Sequence, residues 1–210
     1  MIVSVFGASG RTGHAFVKAA AEAGLYQRLH YRNKPSELTP DTATVVVGAL
    51  TDPTAVREVL RGADAAVILF GPRPDARLMF CATATKAIIA SMRTQEVPRI
   101  LCVTGAMIGE QPRTVSLAMK LMSFGVRKAG QAEVMDDRDE QERLVRASAL
   151  SWTVVKPPRL TDADSTGYNA SPTLSVGVSS HLSRTALATF LVDEAVQPKY
   201  LQSAVFLHDR

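Results

Sequence analysis

Cysteine, aromatic rings and net charge are all in short supply in this chain of 210 residues, and each shortage removes a class of protein. Two cysteines are too few for a disulfide framework. Cys81 and Cys102 sit inside apolar runs (MFCATAT and RILCVT) without metal-ligand spacing, so buried thiols in a reducing, cytoplasmic compartment are expected, and no metal site. Aromatic residues make up 6% of the chain, and 24 Lys and Arg against 20 Asp and Glu leave only +4. A nucleic-acid face needs clustered cations and, for single strands, stacking rings, so no nucleic-acid partner is expected. Long hydrophobic runs are missing as well. Nothing approaches the ~18 consecutive apolar residues of a membrane span, and the opening MIVSVFGASG, with no basic flank before a run that stops at Gly7, does not read as a signal peptide.

What is present is an ordinary globular composition, 46% hydrophobic and 21% charged. The length suits a single domain over residues 1–210, large enough to bury a core without staples. Strand-length apolar runs recur at Ile2 to Phe6, Arg28 to Tyr31, Thr44 to Val47, Ala65 to Phe70, Arg99 to Thr104, Trp152 to Val155 and Ala204 to Leu207. Stretches with helical spacing lie between them. They run from Thr12 to Ala23, from Asp52-Pro53 to Gly62, from about Asp75 to Met92, from Thr114 to about Val126, from Glu133 to Ala147, and from Ser183 to Val192. This alternation predicts an α/β fold, with a doubly wound, mostly parallel sheet and helices on both faces. Thr161 to Ser180 follows neither period and reads as a binding loop or a plain surface loop.

Directly after the first strand comes Gly7-Ala8-Ser9-Gly10-Arg11-Thr12-Gly13, a GxxGxxG loop that opens the first helix. In that position glycines let backbone N–H groups and the helix N-terminus approach a pyrophosphate, while the last glycine lets the helix pack closely on the strand. The end of strand two is the next test, because an acid there binds the ribose hydroxyls of NAD. The residues are His30-Tyr31-Arg32-Asn33-Lys34, with no acid, and Arg32 lies 19 positions after Gly13. A guanidinium there suits a 2′-phosphate, with Arg11 as a second contact, and so favours NADP(H). The chain's preference for Arg, 17 against 7 Lys, fits the same chemistry, although Arg32 and Lys34 also read as a solvated strand end.

Five segments carry a family resemblance: GASGRTG at Gly7 to Gly13, YRNKP after strand two, VVGALTDP at Val46 to Pro53, the run from Asp139 to Asp162, and LSRTALATFLVDE at Leu182 to Glu194. Over essentially its whole length the chain resembles the atypical short-chain dehydrogenases/reductases, nearest to the NmrA-like NAD(P)-binding proteins and the flavin reductase (biliverdin reductase B) type. The resemblance implies a Rossmann-type domain with a small C-terminal substrate-side region, and a cofactor site that includes Gly7, Ser9, Gly10, Arg11, Thr12 and Gly13. It further implies Ala49 and Leu50 by the adenine, Phe70 and Gly71 beside the cofactor, Thr104 and Gly105 near the nicotinamide, and Lys156, Pro157 and Pro158 on its far side. Two departures stand out: Gly48-Ala49 where the family often has Gly-Asp, and Gly105 where the flavin reductases tend to have Ser.

Typical short-chain dehydrogenases use a Tyr with a Lys four residues on, and none of Tyr26, Tyr31, Tyr168 or Tyr200 has that partner. A planar conjugated acceptor, a flavin or a quinone, spreads the incoming charge and takes its proton from water, so positioning suffices. Thr104 is the candidate catalytic residue, at the carboxyl end of a central strand; the other reading is a hydroxyl that caps the following loop. Met107, with Met119, Met122 and Phe124, reads as a substrate pocket, core or dimer face. Tyr168 reads as a substrate contact or a surface residue, and His14 and His181 have no partner pattern. The expected function is an NADPH-dependent reductase acting on a small molecule, as a monomer or homodimer. The rival is a nonenzymatic NADP(H)-binding redox sensor, with Arg113 to Lys128 and the acidic helix Glu133 to Glu142 as a partner surface or a solvated face.

Overall fold

The computed structural model describes residues 1–35, 39–72, 79–110 and 117–210. In β1 (Ile2–Phe6) strand alternation sends Val3 and Val5 to one face of the sheet and Phe6 to the other, where buried Ser4 donates its hydroxyl to the Val59 carbonyl at 2.6 Å. Next comes α1 (Arg11–Glu22), which buries Gly13, Phe16, Val17 and Ala20. Beyond it lie β2 (Tyr26–Tyr31), β3 (Ala43–Val47) and α2 (Pro53–Leu60), whose first turn is capped by Asp52 accepting from the Thr54 N–H at 2.8 Å. The middle of the chain forms β4 (Ala65–Ile68), α3 (Phe80–Thr94) and β5 (Arg99–Val103). Then α4 (Leu117–Val126) turns into α5 (Ala132–Arg146) through a kink at Arg127–Gln131, where Gly130 takes φ +85°. The last part forms β6 (Ser151–Lys156), β7 (Arg159–Thr161), β8 (Tyr168–Ser171), β9 (His181–Ser183), α6 (Arg184–Val196) and β10 (Ser203–Asp209).

Eight strands make one sheet in the order β3-β2-β1-β4-β5-β6-β10-β8, parallel throughout except for β8 on its edge, and β7 pairs with β9 apart from it. One face is covered by α1 and α6, which close a core with Val3, Val5, Leu29, Val103 and Val155. The other face carries α2, α3 and α5 over Phe6, Ile68, Ile100, Cys102 and Val154. This is the doubly wound, mostly parallel arrangement that the alternation predicts. From β1 the sheet grows one way through β2 and β3 and the other way through β4, β5 and β6, so a crevice opens at the carboxyl ends between β1 and β4.

The structure departs from expectation in Thr161 to Ser180. That segment holds β8, antiparallel to β10 with Leu207 opposite Ala170, and the buried Val176. YNAS lacks the β-branched pattern of a strand, and the open edge of β10 supplies the partner that its own sequence does not advertise. The expected helix starts at Asp75 and Thr114, and the beginning of the basic stretch at Arg113, lie outside the described residues, as does the Met119 side chain.

Gly13 sets how closely α1 seats on the turn after β1. A Cβ there would stand 2.2 Å from the Gly7 carbonyl oxygen and 2.5 Å from that of Ala8, and neither backbone atom can swing aside. Gly13→Ala is therefore expected to lose about 1–3 kcal/mol, the scale of overpacking, seen as a lower urea midpoint at unchanged slope. Gly10→Ala, whose Cβ would meet nothing closer than 3.5 Å, should lose clearly less.

Candidate functional site

The crevice is built from the loop that joins β1 to α1. Gly7 takes φ +98°, and a Cβ on it would lie 2.6 Å from the Phe70 nitrogen, so the loop presses against the exit of β4. The Gly10 N–H donates back to the Gly7 carbonyl at 3.1 Å, and α1 follows Gly10 with no side chain capping its first N–H groups. An uncapped helix start with glycine backbone beside it presents donors and partial positive charge to an anion.

Two adjoining clefts meet at Ser9 and Arg32. The first, about 280 Å³, lies between α1 and the end of β2 and is lined by Ser9, His14, Tyr31, Arg32, Asn33 and Lys34, with Pro35 at its rim. Among the described residues its lining holds two fixed cations and no carboxylate. The second, about 180 Å³, is flanked by Gly7, His30, Ala49, Leu50 and Phe70 and suits a flat apolar group. Phe70 stacks edge-on against Phe80 at 5.7 Å. Burial pushes the His30 imidazole below its usual value, and its Nε2 lies 2.9 Å from the Gly48 carbonyl, so the neutral ring donates there and ties β2 to the turn that carries Ala49. The structure thus brings Gly7, Ser9, Arg32, Ala49, Leu50 and Phe70 together around one space. Arg11, on the first turn of α1, instead pairs with Asp162 at 3.3 Å, and Asp162 also holds Arg184 at 2.5 Å.

The other side of the crevice, at the ends of β4, β5 and β6, is governed by α5. Arg138 is buried and donates to the Phe70 carbonyl at 3.0 Å, the Val103 carbonyl at 2.9 Å and the Thr104 carbonyl at 2.6 Å. Its neighbour Asp137 accepts from the Cys81 and Ala82 N–H groups at 2.9 and 2.8 Å, capping α3, whose own cap residue Met79 supplies no side-chain bond. Glu142, also buried, accepts from the Thr104 hydroxyl at 3.2 Å, from Arg146 at 2.8 Å and from Lys156 at 3.2 Å. The acidic helix is therefore no plain solvated face: Asp137, Arg138, Gln141 and Glu142 share its buried stripe with Met135 and Val145. Sequence reading missed these residues because a polar stripe looks like solvent exposure; the signal was their 3-to-4 spacing in step with Met135 and Val145.

Lys156 ends β6 with its side chain fully buried. Its ammonium donates to the Ile108 and Glu110 carbonyls and to Glu142, so it points into the protein. Gly105 and Ala106 follow β5 beside β6, the Ala106 N–H donating to the Pro157 carbonyl at 2.9 Å, and Pro158 is half-buried just beyond. Met107 packs with Met122 against Ala106, Val176 and Phe206. Tyr168 does not join the crevice. It sits on the edge strand β8, its ring edge-on to Phe190 at 5.4 Å and its hydroxyl donating to Asp193 at 2.6 Å. Burial pushes the Cys81 and Cys102 thiols up to about 12, which makes both inert near neutral pH. Among the described residues there is no cluster able to hold a metal ion, and no helix long and apolar enough to cross a membrane.

Burial holds the Lys156 amine below its usual 10.5, partly offset by Glu142. A lysine with a lowered folded pKa loses its proton before the unfolded chain does, so stability rises with pH between the folded value and 10.5 and levels off above it. Lys156→Met leaves Glu142 its Arg146 partner and should flatten that alkaline rise, measured by urea melts at stepped pH.

Residues 7–198 match the family model described as NAD(P)H-binding. Among solved structures, the chain superimposes with a TM-score of 0.81 on a candidate NADH-flavin reductase from Streptococcus pneumoniae, at 19% identity over 100% of both chains. A wide-type short-chain dehydrogenase/reductase from Veillonella parvula, solved with NADP, gives 0.81 at 14% identity over 99% of this chain and 94% of that one. A candidate epimerase from Bacteroides thetaiotaomicron gives 0.81 at 22% identity over 99% and 96%. At such identities these structures speak to the fold, which is the Rossmann-like one. The family match covers nearly the whole chain and includes the glycine loop, both clefts and the α5 stripe, and by it this protein belongs to the NAD(P)H-binding family.

Proposed function

We propose that this protein is an NADPH-dependent oxidoreductase, working as one cofactor-binding domain, that passes hydride to a planar conjugated acceptor of the flavin or quinone type. The observation that carries the reading is the cleft at the end of β2, where Arg32 and Lys34 stand with no carboxylate among the described lining residues. An acid there would repel a 2′-phosphate; a guanidinium and an ammonium attract one. The glycine cradle fits the rest of the dinucleotide: uncapped N–H groups at the start of α1 for the pyrophosphate, and Ala49, Leu50 and Phe70 around a flat cleft for the adenine. The NADP complex of the Veillonella protein supports the cofactor, and the Streptococcus protein, described as an NADH-flavin reductase, supports the acceptor class while pointing to the other dinucleotide. Two buried free cysteines suit a reducing, cytoplasmic setting.

The bound dinucleotide supplies the hydride, and the chain's part is to bind, orient and stabilise. Arg138 fixes the carbonyls of Phe70, Val103 and Thr104 and so holds rigid the strand ends that would support the nicotinamide and its acceptor. The Thr104 hydroxyl already donates its hydrogen to Glu142, so towards the crevice its oxygen accepts a hydrogen bond and does not act as an acid. That makes it an orienting group, in keeping with an acceptor that takes its proton from water. Behind Thr104 the buried carboxylate Glu142 is itself held by Lys156 and Arg146, and so is fixed in place as the acceptor of the Thr104 hydroxyl.

A second reading has one observation in its favour. Leu117, Leu121 and Phe124 lie exposed along one stripe of α4, as a nonenzymatic sensor that meets a protein partner would need. NADPH oxidation followed against a panel of flavins and quinones, with NADH as control, separates the two: turnover with NADPH supports the reductase, and micromolar binding without turnover favours the sensor. Arg32→Ala should weaken NADPH by about 1.5–3 kcal/mol, the scale of a hydrogen bond to a charged group, with little change for NADH. Equal losses for both cofactors would remove the 2′-phosphate assignment.

A further inference from the structure

A lysine with no solvent contact is costly to keep, and Lys156, at the end of β6, has its side chain fully buried. All three protons of its ammonium are spent, on the Ile108 carbonyl, on the Glu110 carbonyl at 3.1 Å and on Glu142 at 3.2 Å. The charge also lies 5.3 Å from the centre of the Phe206 ring. Stability alone is a poor reason for such a group, since well-packed apolar residues often replace a buried ion pair without loss. What the ammonium does hold is a loop. Residues 105–110 leave β5 directly after Thr104, and two of their carbonyls end on Lys156. The same loop is gripped from α5: the Gly109 N–H donates to Asp139 at 2.6 Å. Gly109 takes φ +62°, and a Cβ on it would stand 2.5 Å from the Glu142 carboxylate, so a glycine is needed for loop and carboxylate to come this close. Glu142 in turn accepts from the Thr104 hydroxyl at 3.2 Å. Lys156 therefore reaches Thr104 through Glu142 and the far end of the loop directly. Between the two sits Met107, half-buried, packed with Met122, its carbonyl accepting from the Ser123 hydroxyl at 3.4 Å.

We propose that Lys156 is a positioning residue for acceptor selection: its ammonium ties Glu142 to the loop 105–110 and so fixes the Thr104 hydroxyl relative to the Met107 wall. This rests on the reductase reading, in which the acceptor meets the nicotinamide beside Thr104 and Gly105. Two facing methionines adapt readily to what lies against them. A backbone pinned at residues 108, 109 and 110 limits how far that wall can yield, and with it the breadth of ring system the site accepts. Without the ammonium the wall gives way. A small acceptor then loses its orientation, while a broad one gains room.

The ratio of kcat/KM for a one-ring benzoquinone to that for FMN, both at saturating NADPH, reads this effect, because the amount of folded enzyme cancels in it. Lys156→Met keeps the apolar length of the side chain and removes its donors. It is expected to move the ratio about tenfold towards FMN, the equivalent of one hydrogen bond to a charged group, through a higher KM for the quinone and with the NADPH dissociation constant unchanged. Thr104→Val should shift the ratio in the same direction, and the double variant no further than Lys156→Met alone, because the two side chains act as one linked unit. Asp139→Ala removes the Gly109 anchor from a half-buried position and should give the same sign of change; it decides the matter should Lys156→Met not fold. A wild-type reductase whose acceptor ratio these variants leave unmoved overturns this inference alone, as does a fall in kcat by one common factor for both acceptors, the mark of a merely structural role. Absence of turnover by wild-type protein with either acceptor overturns the reductase reading and this inference with it.

Discussion

The buried guanidinium of Arg138 is the constraint around which the crevice is organised. The strands β4 and β5 end side by side, and beyond their ladder the carbonyls of Phe70, Val103 and Thr104 need donors in a place from which water is largely excluded. One planar fork reaches all three. Gln141 accepts from the same fork at 2.7 Å and donates in turn to the Thr85 hydroxyl on α3 at 2.9 Å. A charge in that position is costly unless its donors are placed, and here four oxygen atoms receive them. Because Asp137 on the same helix caps α3, the one element α5 sets both the strand ends and the helix whose Phe80 lines the smaller cleft.

The two sides of the crevice are built by different means. On the β1–β2 side the shape comes from the backbone: glycines without a Cβ, an uncapped helix start, and a cleft framed by the ends of two elements close in sequence. On the β5–β6 side it comes from side chains that travel from α5, with Thr104, Glu142 and Lys156 brought together across 38 and 14 residues of separation. Close backbone approach tolerates little variation in residue type, whereas a side-chain network can be rebuilt from other polar residues. The first half is therefore built for close approach of a ligand to the backbone, and the second for placing side-chain groups.

This difference explains what was legible in the sequence. The alternation of periods, the glycine loop, the Asp52-Pro53 cap and the strand ends at Arg32 and Phe70 are local signals that the structure places close to where they are expected, although α6 runs four residues past Val192. Three features were not local. The stripe Asp137, Arg138, Gln141, Glu142 looks hydrophilic until the partners that consume its hydrogen bonds are known. Strand β8 exists because β10 offers an edge. Tyr168, an attractive aromatic in an irregular segment, is claimed by Phe190 and Asp193 of α6, residues that no spacing rule connects with it.

The abundance of arginine has a structural answer in the fold. Arg28 donates to the Glu58 carbonyl and carboxylate, Arg93 to the Ser148 carbonyl at 2.7 Å, and Arg99 to the Ser151 carbonyl, the Thr153 hydroxyl and the buried carboxylate of Glu194. In each case a planar fork bridges two elements through main-chain oxygen, twice adding a side chain, which the compact ammonium of lysine does less well. Residue type therefore does not distinguish a phosphate-binding arginine in this protein. Position does: Arg32 stands at the exposed end of β2, beside Lys34, on a wall whose described residues include no carboxylate, and it borders both clefts. The case for NADP(H) rests on that placement and on the lack of acid at the strand end, and the overall charge of +4 contributes nothing to it.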